Sequence, residues 1–203
     1  MTDITAQKSI DDSLPPAITA RLGERSIVLI GMMGVGKSSI GRRLGARLAI
    51  PFVDADTEIE KAAGMSIADM FARHGEAAFR SGEARVIARL LNSGPQVLAT
   101  GGGAVMNPAT RELIQQRGVS IWLSAEFELL LRRISKRKAE RPMLQTADPA
   151  ATLRELLATR EPIYAQADLT VESRDVPHDA VVGEIIERLA DFLGAVPAQR
   201  SPS

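Results

Sequence analysis

A glycine-rich segment near the start of the chain carries residues whose types and spacing suit phosphate chemistry. Gly31, Gly36, Lys37 and Ser38 fit the pattern G-x-x-x-x-G-K-[S/T], the phosphate-binding P-loop. Glycines permit positive φ angles, so successive backbone N–H groups can point into one concave nest for phosphate oxygens. The lysine adds a positive charge for β- and γ-phosphates, and the serine hydroxyl can hold Mg²⁺. The same pattern also occurs by chance in turns that bind nothing.

The residues on either side of this segment supply the context that the motif requires. Residues 27–30 are apolar and predict a buried strand, and residues 37–49 repeat apolar side chains at helical spacing. The start of such a helix adds unpaired N–H groups and the positive end of its dipole. We therefore predict a nucleotide site at this loop. Its residues are Gly34, Val35, Gly36, Lys37, Ser38 and Ser39.

Two carboxylates follow the second predicted strand. Asp54 and Asp56 come directly after Phe52-Val53, at the carboxyl end of a strand, where open α/β sheets bind their ligands. If the chain stays extended there, both side chains point to the same side. Alternatively, Asp56 is only the N-cap of the next helix. That alternative explains one carboxylate better than the pair, so we expect a functional role for at least one of them.

Two later segments contain residues that an ordinary surface helix or turn would not need. Arg80 and Glu83 lie three residues apart on a predicted helix and could form an ordinary surface ion pair. Gly82 lies between them, and a glycine inside a helix costs about 1 kcal/mol relative to alanine, which favours a functional role. Residues 101–103 are three consecutive glycines after a buried strand. Such a run predicts close approach of a ligand or of another part of the backbone, and the alternative is a flexible turn.

Basic residues follow farther along the chain. The helix predicted over residues 125–137 ends in several cations, which the helix dipole and solvent explain without a ligand. Residues 138–151 form a long loop typical of a lid, and Arg141 within it could fold onto a triphosphate. Arg160 lies on the next helix, which we expect to end at Pro162.

Three further side chains have less definite roles. Tyr164 either flanks the acceptor pocket or belongs to the core, and the sequence does not decide between the two. His74 and His178 lie near helix ends and are exposed by pattern, so we expect neither to bind a ligand.

Composition restricts the class of protein. The 203 residues are 45% hydrophobic, and 25 Lys+Arg balance 25 Asp+Glu, so no overall field attracts nucleic acid or an acidic membrane. There is no cysteine, which excludes disulfides and thiolate catalysis and suits the cytoplasm. The sequence shows neither a secretory signal nor a membrane span.

Short strands alternating with helices predict an α/β fold, a three-layer αβα sandwich with a five-stranded parallel sheet of the P-loop NTPase type. We expect a mobile extension over residues 1–25, a single P-loop kinase domain over 26–194 and a mobile tail over 195–203. Within the domain we expect an acceptor-binding helical insert at about 56–92 and a lid at about 138–151. The motifs then surround one crevice, which suits in-line phosphoryl transfer.

Taken together and in order, the motifs resemble the shikimate kinase family over roughly residues 26–193. The matching segments are the loop 31–39, Asp54-Ala55-Asp56, Phe79-Arg80 with Glu83, Gly101-Gly102-Gly103-Ala104-Val105, Arg141-Pro142, and Arg160 with Pro162 and Tyr164. The resemblance implies a fold like that of the nucleoside monophosphate kinases. It also implies transfer of the ATP γ-phosphate to the 3-hydroxyl of shikimate.

The resemblance also implies roles for individual residues. Residues 34–39 would bind the ATP phosphates, with Ser38 on Mg²⁺ and Asp54 holding that ion through water. Asp56 would contact the shikimate hydroxyls and polarise the attacking one. The carboxylate of shikimate would pair with Arg80 and Arg160, next to the backbone N–H of Gly102, and Arg141 would close over the ATP phosphates. The implied catalytic set is Asp56, Lys37 and Arg141.

The implied partners are ATP, shikimate and Mg²⁺, without nucleic acid or membrane, and we expect a cytoplasmic monomer. Two alternatives remain. The first is another small-metabolite kinase of the same fold, such as a gluconate kinase. The second is a non-catalytic nucleotide sensor, although its expected signs, a damaged P-loop lysine or lost carboxylates, are missing from the sequence.

Overall fold

The computed structural model describes residues 3–135 and 148–195, and for residues 3–12 it describes the backbone alone. The strands are β1 (Ser26–Ile30), β2 (Phe52–Asp54), β3 (Val97–Ala99), β4 (Gly118–Ser124) and β5 (Leu169–Glu172). The helices are α1 (Asp3–Leu22), α2 (Lys37–Leu48), α3 (Ala55–Ala63), α4 (Ile67–Leu91), α5 (Pro108–Arg117), α6 (Phe127–Ser135), α7 (Pro149–Tyr164) and α8 (His178–Phe192), with a 3-10 turn at Ala104–Met106.

The strands form one parallel sheet in the order β2-β3-β1-β4-β5. The central strand, β1, pairs with β3 on one side, where Leu29 lies opposite Ala99, and with β4 on the other, where Ile30 lies opposite Trp122. Because every pairing is parallel, the carboxyl ends of all five strands meet at one edge. This confirms the predicted five-stranded parallel α/β sheet.

Helices cover both faces of the sheet, and the alternation of side chains along β1 shows how. Ile27 and Leu29 pack into a core that is shared with α1, α2 and α8, whereas Val28 and Ile30 pack against α4, α5 and α7. All five residues of β1 are buried, as expected for the middle strand of a sheet that is covered on both sides. Three layers result, as predicted.

The connection from β1 to α2 has the geometry that the P-loop pattern requires. Gly34 and Gly36 have φ angles of 83° and 104°, in the left-handed region that side chains rarely adopt. Gly36 is the N-cap of α2, and the buried Ile40 and Leu44 fix this helix against the sheet. The loop is therefore held at both ends by core packing.

Two helices fill the stretch between β2 and β3. Ser66 accepts a hydrogen bond from the Asp69 N–H and begins α4. Gly75, with φ 76° and ψ 172°, interrupts α4. Ile59 and Phe79 belong to a small core of their own in this region, which keeps the second half of α4 next to the site.

The first residues of the chain differ from the predicted mobile extension over residues 1–25. They form α1, whose Leu14, Ile18 and Leu22 are buried in the same core as α2 and α8. Thr19 donates from its hydroxyl to the Leu48 carbonyl at the end of α2. The prediction was wrong: Pro15 and Pro16 lie inside the helix, where proline is unfavourable, but apolar residues four apart give packing that outweighs this cost.

Three boundaries toward the end of the chain also need correction. The predicted lid is too long, because its residues 149–151 form the first turn of α7, which the Asp148 carboxylate caps. That helix runs through Pro162 to Tyr164 instead of ending before the proline. In the predicted tail, Ala195 is buried and its N–H donates to the Ala190 carbonyl, and residues 196–203 lie outside the described part.

No helix within the described residues has the length and apolarity needed to cross a bilayer.

Candidate active site

A cavity of about 360 Å³ opens at the carboxyl edge of the sheet. Its lining residues are Met33, Gly34, Gly36, Lys37, Ser38, Ser39, Asp54, Asp56, Ala99, Thr100, Gly101, Gly102, Arg133 and His178. They include every predicted nucleotide or metal residue in the described part except Val35, together with the predicted acceptor residues Asp56 and Gly102. The structure therefore brings these nucleotide residues and two of the four predicted acceptor residues together in one cavity.

Three predicted residues do not line this cavity. Val35 has a fully buried side chain, so only its backbone can face a nucleotide. Arg80 and Arg160 reach the residues 101–103 from outside the cavity. Arg141 and most of the predicted lid lie outside the described residues.

In the nucleotide half, the P-loop side chains already contact oxygen atoms. The Lys37 ammonium group donates to the carbonyls of Gly31 and Met32, at 2.8 and 3.0 Å. The Ser38 hydroxyl donates to the Asp54 carboxylate at 2.6 Å. A hydroxyl and a carboxylate in contact are two hard oxygen ligands of the kind that Mg²⁺ accepts beside substrate phosphates.

The two aspartates adopt a geometry that the sequence did not predict. The chain does not stay extended, because α3 begins at Ala55. Asp54 is the N-cap and accepts from the Asp56 N–H at 3.2 Å, so the cap is Asp54 and not Asp56. Asp56 lies in the first turn of the helix, and both carboxylates still line the cavity. Asp54 is therefore both the helix cap and a candidate metal ligand, whereas Asp56 remains available to contact an acceptor.

Asp56 is the most perturbed carboxyl group of the cavity. Burial, followed by the nearby charge of Asp54, raises its pKa from 3.8 to about 6, against the lowering effect of Lys37. A carboxylate with a pKa near neutrality can take a proton from a hydroxyl group and release it again. Because Lys37 is close enough to affect it, Asp56 lies where a phosphate on the P-loop would meet an acceptor.

The three glycines that follow β3 make room for charged side chains, and we call residues 101–103 the glycine wall. A Cβ on Gly101 would lie 2.7 Å from Glu83 Oε1 and 3.0 Å from Asp56 Oδ1. A Cβ on Gly103 would lie 2.5 Å from Arg80 Nη2. The sequence predicted close approach by a ligand or backbone, and most of the close neighbours are instead carboxylates and guanidinium groups of this chain.

Arg80 is held at the glycine wall by two glutamates on its own helix. Its Nη1 donates to Glu83 Oε2 at 2.7 Å, and its Nη2 and Nε donate to Glu76 Oε1 at 3.2 and 3.3 Å. Glu83 is only 2% exposed, and its Oε1 has no hydrogen-bond partner among the described residues. Burial raises the pKa of Glu83, while Arg80 and Arg160 lower it. The pair is thus more than the surface ion pair considered from sequence.

Arg160 reaches the glycine wall from α7. It is 5% exposed, and its Nη1 is 3.4 Å from the position of a Cβ on Gly102. Two guanidinium groups therefore approach one stretch of backbone from different helices. Planar guanidinium groups bind carboxylates through paired hydrogen bonds, so the region beside the glycine wall suits a small anionic acceptor.

Two residues that line the nucleotide half were not among the predicted site residues. Arg133 donates to the carbonyls of Val35 and Arg174 and to the Ser173 hydroxyl, at 3.0–3.3 Å, and it lines the cavity. His178 also lines it, although the sequence predicted an exposed residue without a ligand role. The missed signal is position: α8 begins just after β5, so its first residue lies at the same edge as every other strand end.

Comparisons with known proteins agree with this arrangement. The family model described as shikimate kinase matches residues 33–190. A shikimate kinase from Bradyrhizobium diazoefficiens is 61% identical over 186 residues, which are 92% of this chain and 89% of that protein.

Solved structures extend the comparison to the fold. A shikimate kinase from Acinetobacter baumannii in complex with shikimate has a TM-score of 0.79 and 34% identity, over 90% of this chain and 99% of that one. A gluconokinase from Sinorhizobium meliloti 1021 has a TM-score of 0.55 at 19% identity, over 88% and 98%, and shows a shared fold only. The P-loop half and the charged acceptor half thus occur in a chain that belongs to the shikimate kinase family.

Proposed function

We propose that this protein is an ATP-dependent kinase that transfers the γ-phosphate of ATP to the 3-hydroxyl of shikimate, which gives shikimate 3-phosphate and ADP. The observation that carries the proposal is that Asp56 shares one cavity with Lys37 and Ser38 and borders the glycine wall that Arg80 and Arg160 approach. A phosphate donor and an anionic, hydroxylated acceptor can therefore meet at Asp56.

The phosphate donor binds along the P-loop. Backbone N–H groups of residues 34–39 and the start of α2 face the phosphates, and Lys37 pairs with the β- and γ-phosphates. The Ser38 hydroxyl and the Asp54 carboxylate, in contact at 2.6 Å, fit Mg²⁺ as its protein ligands. When bound, this ion neutralises charge on the β- and γ-phosphates.

The acceptor binds against the glycine wall. Its carboxylate pairs with the guanidinium groups of Arg80 and Arg160 and with the Gly102 N–H. Glu83 and Glu76 hold Arg80 in place, so little side-chain entropy remains to be lost on binding. Because the wall has no side chains, a ring can lie close to the backbone.

Asp56 acts on the attacking hydroxyl. The 3-hydroxyl oxygen bonds to the γ-phosphorus, the bond from that phosphorus to the β,γ-bridging oxygen breaks, and the hydroxyl proton passes to the Asp56 carboxylate. ADP is the leaving group. With a pKa of about 6, Asp56 is mostly ionised at pH 7 and is still basic enough to accept the proton.

We further propose that Arg141 closes over the ATP phosphates and that the loop carrying it excludes water, because water in the closed site would hydrolyse ATP. The role rests on the sequence, since Arg141 lies outside the described residues. We also retain the expectation of a cytoplasmic monomer, which size-exclusion chromatography and cell fractionation test.

A coupled ADP-release assay tests the function. The purified protein is given ATP and Mg²⁺ with shikimate, gluconate or a nucleoside monophosphate, and Lys37→Met is the inactive control. We expect rapid ADP release with shikimate alone. Release with gluconate instead would favour the other small-metabolite kinase, and ATP binding without turnover on any acceptor would favour the nucleotide sensor.

A further inference from the structure

Tyr164 is the only tyrosine of the chain, and its hydroxyl contacts the glycine wall. It is the last residue of α7 and is 1% exposed. Its ring lies 6.1 Å from the Trp122 ring, centroid to centroid. The packing alone would make it a core residue, but its hydroxyl points to a second role.

The Tyr164 hydroxyl donates a hydrogen bond to the Gly102 carbonyl. The Arg160 guanidinium group, one helical turn earlier on α7, lies close enough to the same hydroxyl to lower its pKa against the effect of burial. Burial raises the pKa of Tyr164 to about 12, so the phenol keeps its proton and remains a donor. One oxygen atom thus joins a backbone group of the wall to a side chain proposed to bind the acceptor.

The carbonyl that Tyr164 holds is the one that local structure leaves free. The Gly101 carbonyl accepts from the Ala104 N–H and the Gly103 carbonyl accepts from the Met106 N–H, both at 3.1 Å. These two bonds form within a single turn, whereas the bond to Gly102 spans 62 residues. Glycines lack side chains that could restrict their backbone, so the middle of the wall depends on this distant hydroxyl.

The path of α7 makes the contact possible. The helix continues through Pro162 to Tyr164, so Arg160 and Tyr164 lie one turn apart on the same side. If the helix ended before Pro162, as the sequence predicted, this spacing would not be fixed. The continuous helix therefore delivers both groups to the wall as one unit.

We propose that Tyr164 is a positioning residue for the acceptor, and that its hydroxyl fixes the Gly102 peptide and the Arg160 guanidinium group together. The inference rests on the proposed function and deepens it. Tyr164 touches neither reacting atom, so it acts on acceptor affinity through the wall and not on the phosphate donor.

Tyr164→Phe tests this, because it removes one hydroxyl and keeps the ring that packs on Trp122. We expect the shikimate KM to rise about tenfold, the ATP KM to stay within twofold, and kcat to fall less than threefold. Calorimetric titration with shikimate should show the same loss of affinity without turnover. An unchanged shikimate KM, or an equal rise in both KM values, would overturn the proposal.

Ser120→Ala is the matched control. Its buried hydroxyl bonds to Asp168 at 2.7 Å, and Asp168 precedes β5, so the pair lies at the amino edge of the sheet, away from the cavity. We expect it to lower the melting temperature about as much as Tyr164→Phe with both KM values unchanged. If Ser120→Ala also raised the shikimate KM and left the ATP KM unchanged, lost stability alone would explain the effect of Tyr164→Phe.

A double-mutant cycle that combines Tyr164→Phe with Arg160→Ala tests whether the Tyr164 hydroxyl acts through Arg160. If the hydroxyl acts partly through Arg160, the double variant should lose less affinity than the product of the single losses. Fully independent effects would overturn that link.

Should Tyr164→Phe fail to fold, 3-fluorotyrosine at this single position provides a second measurement. Its one ¹⁹F resonance should shift on adding shikimate and not on adding ADP alone. No shift with shikimate would overturn the proposal. If the unmodified protein binds no shikimate by calorimetry, the proposed function itself fails, which separates the two outcomes.

Discussion

The two halves of the candidate site are built in different ways. The nucleotide half takes most of its contacts from six consecutive residues, 34–39, whose geometry follows from the strand before them and the helix after them. The acceptor half collects Asp56 from α3, Arg80 from α4 and Arg160 from α7 around a wall without side chains. A local pattern can specify the first half, whereas only the packing of distant elements can assemble the second.

This difference determines how each half is held. Backbone groups of the P-loop are fixed by core packing of β1 and α2. In the acceptor half, side chains hold one another and the backbone: Glu83 and Glu76 hold Arg80, and the Tyr164 hydroxyl holds the Gly102 carbonyl of the wall. Single substitutions there should therefore disturb neighbours as well as the residue that is changed.

The largest expected effect is on turnover, and it tests whether Asp56 belongs to the acceptor half. Asp56→Asn should lower kcat by about 10²–10⁴-fold, the usual contribution of a proton-accepting group, while ADP binding measured by calorimetry stays within threefold. Lys37→Met should instead weaken ADP binding strongly. A loss of ADP affinity in Asp56→Asn as large as in Lys37→Met would contradict the division into halves.

The second prediction compares the two guanidinium groups. Arg160→Ala and Arg80→Ala should each raise the shikimate KM by about 10–100-fold, the range for lost charge-assisted hydrogen bonds, and leave the ATP KM nearly unchanged. Arg80→Ala should also be the less stable of the two in urea unfolding, because it leaves the buried Glu83 without its closest partner. A larger effect on the ATP KM than on the shikimate KM would exclude the carboxylate role.

The third prediction concerns the glycine wall. Gly103→Ala should raise the shikimate KM about tenfold, because its Cβ would displace the Arg80 guanidinium group. Stability should fall as well, because the displaced guanidinium group no longer pairs with the buried Glu83. Gly82→Ala is the control, as its Cβ meets nothing within 4 Å. It should stabilise α4 by up to about 1 kcal/mol with both KM values unchanged, and a changed shikimate KM would restore the functional role that the sequence suggested for Gly82.

The fourth prediction tests the unexpected residue of the nucleotide half. His178 Nε2 lies 3.5 Å from the position of a Cβ on Gly36. Burial, with the charges of Arg43 and Arg133, lowers its pKa, so the imidazole is neutral at pH 7. His178→Ala should raise the ATP KM three- to tenfold and leave the shikimate KM unchanged, and His74→Ala should change neither. Equal effects of both histidine variants would remove His178 from the site.

The smallest effect is on stability and follows from the raised pKa of Asp56. Between about pH 4 and 6 the folded state binds the Asp56 proton more tightly than the unfolded state, so the contribution of Asp56 to stability falls as pH rises through that window. At pH 7.5, without nucleotide or Mg²⁺, Asp56→Asn should be more stable by about 1 kcal/mol. This is less than two pKa units would give, because the group is partly exposed.

Urea unfolding at pH 4 and at pH 7.5 measures the difference. It should nearly vanish at pH 4, where the folded protein holds the proton. A difference of the same size at both pH values would exclude burial of the charge as its cause.

Much of the fold and of the nucleotide half follows from sequence because local rules suffice there. Gly34 and Gly36 must adopt positive φ angles, Ser66 caps α4, and Gly75 interrupts it, and each of these is visible in a window of a few residues. Where two rules compete locally, sequence reasoning was less reliable. Pro15 and Pro16 concealed α1, and Pro162 concealed the end of α7 that carries Tyr164.

By itself the sequence determined that a P-loop lies between a buried strand and a helix, that the sheet is parallel, and that charged and glycine motifs follow its strands. The fold shared with a gluconokinase shows why architecture alone cannot choose an acceptor. Only the tertiary structure decided that Asp54 caps α3 and leaves Asp56 free, that guanidinium groups fill the space beside the glycines, and that Tyr164 and His178 reach the site. The physical reason is that these contacts join residues far apart in the chain, so their geometry exists only after the helices pack on the sheet.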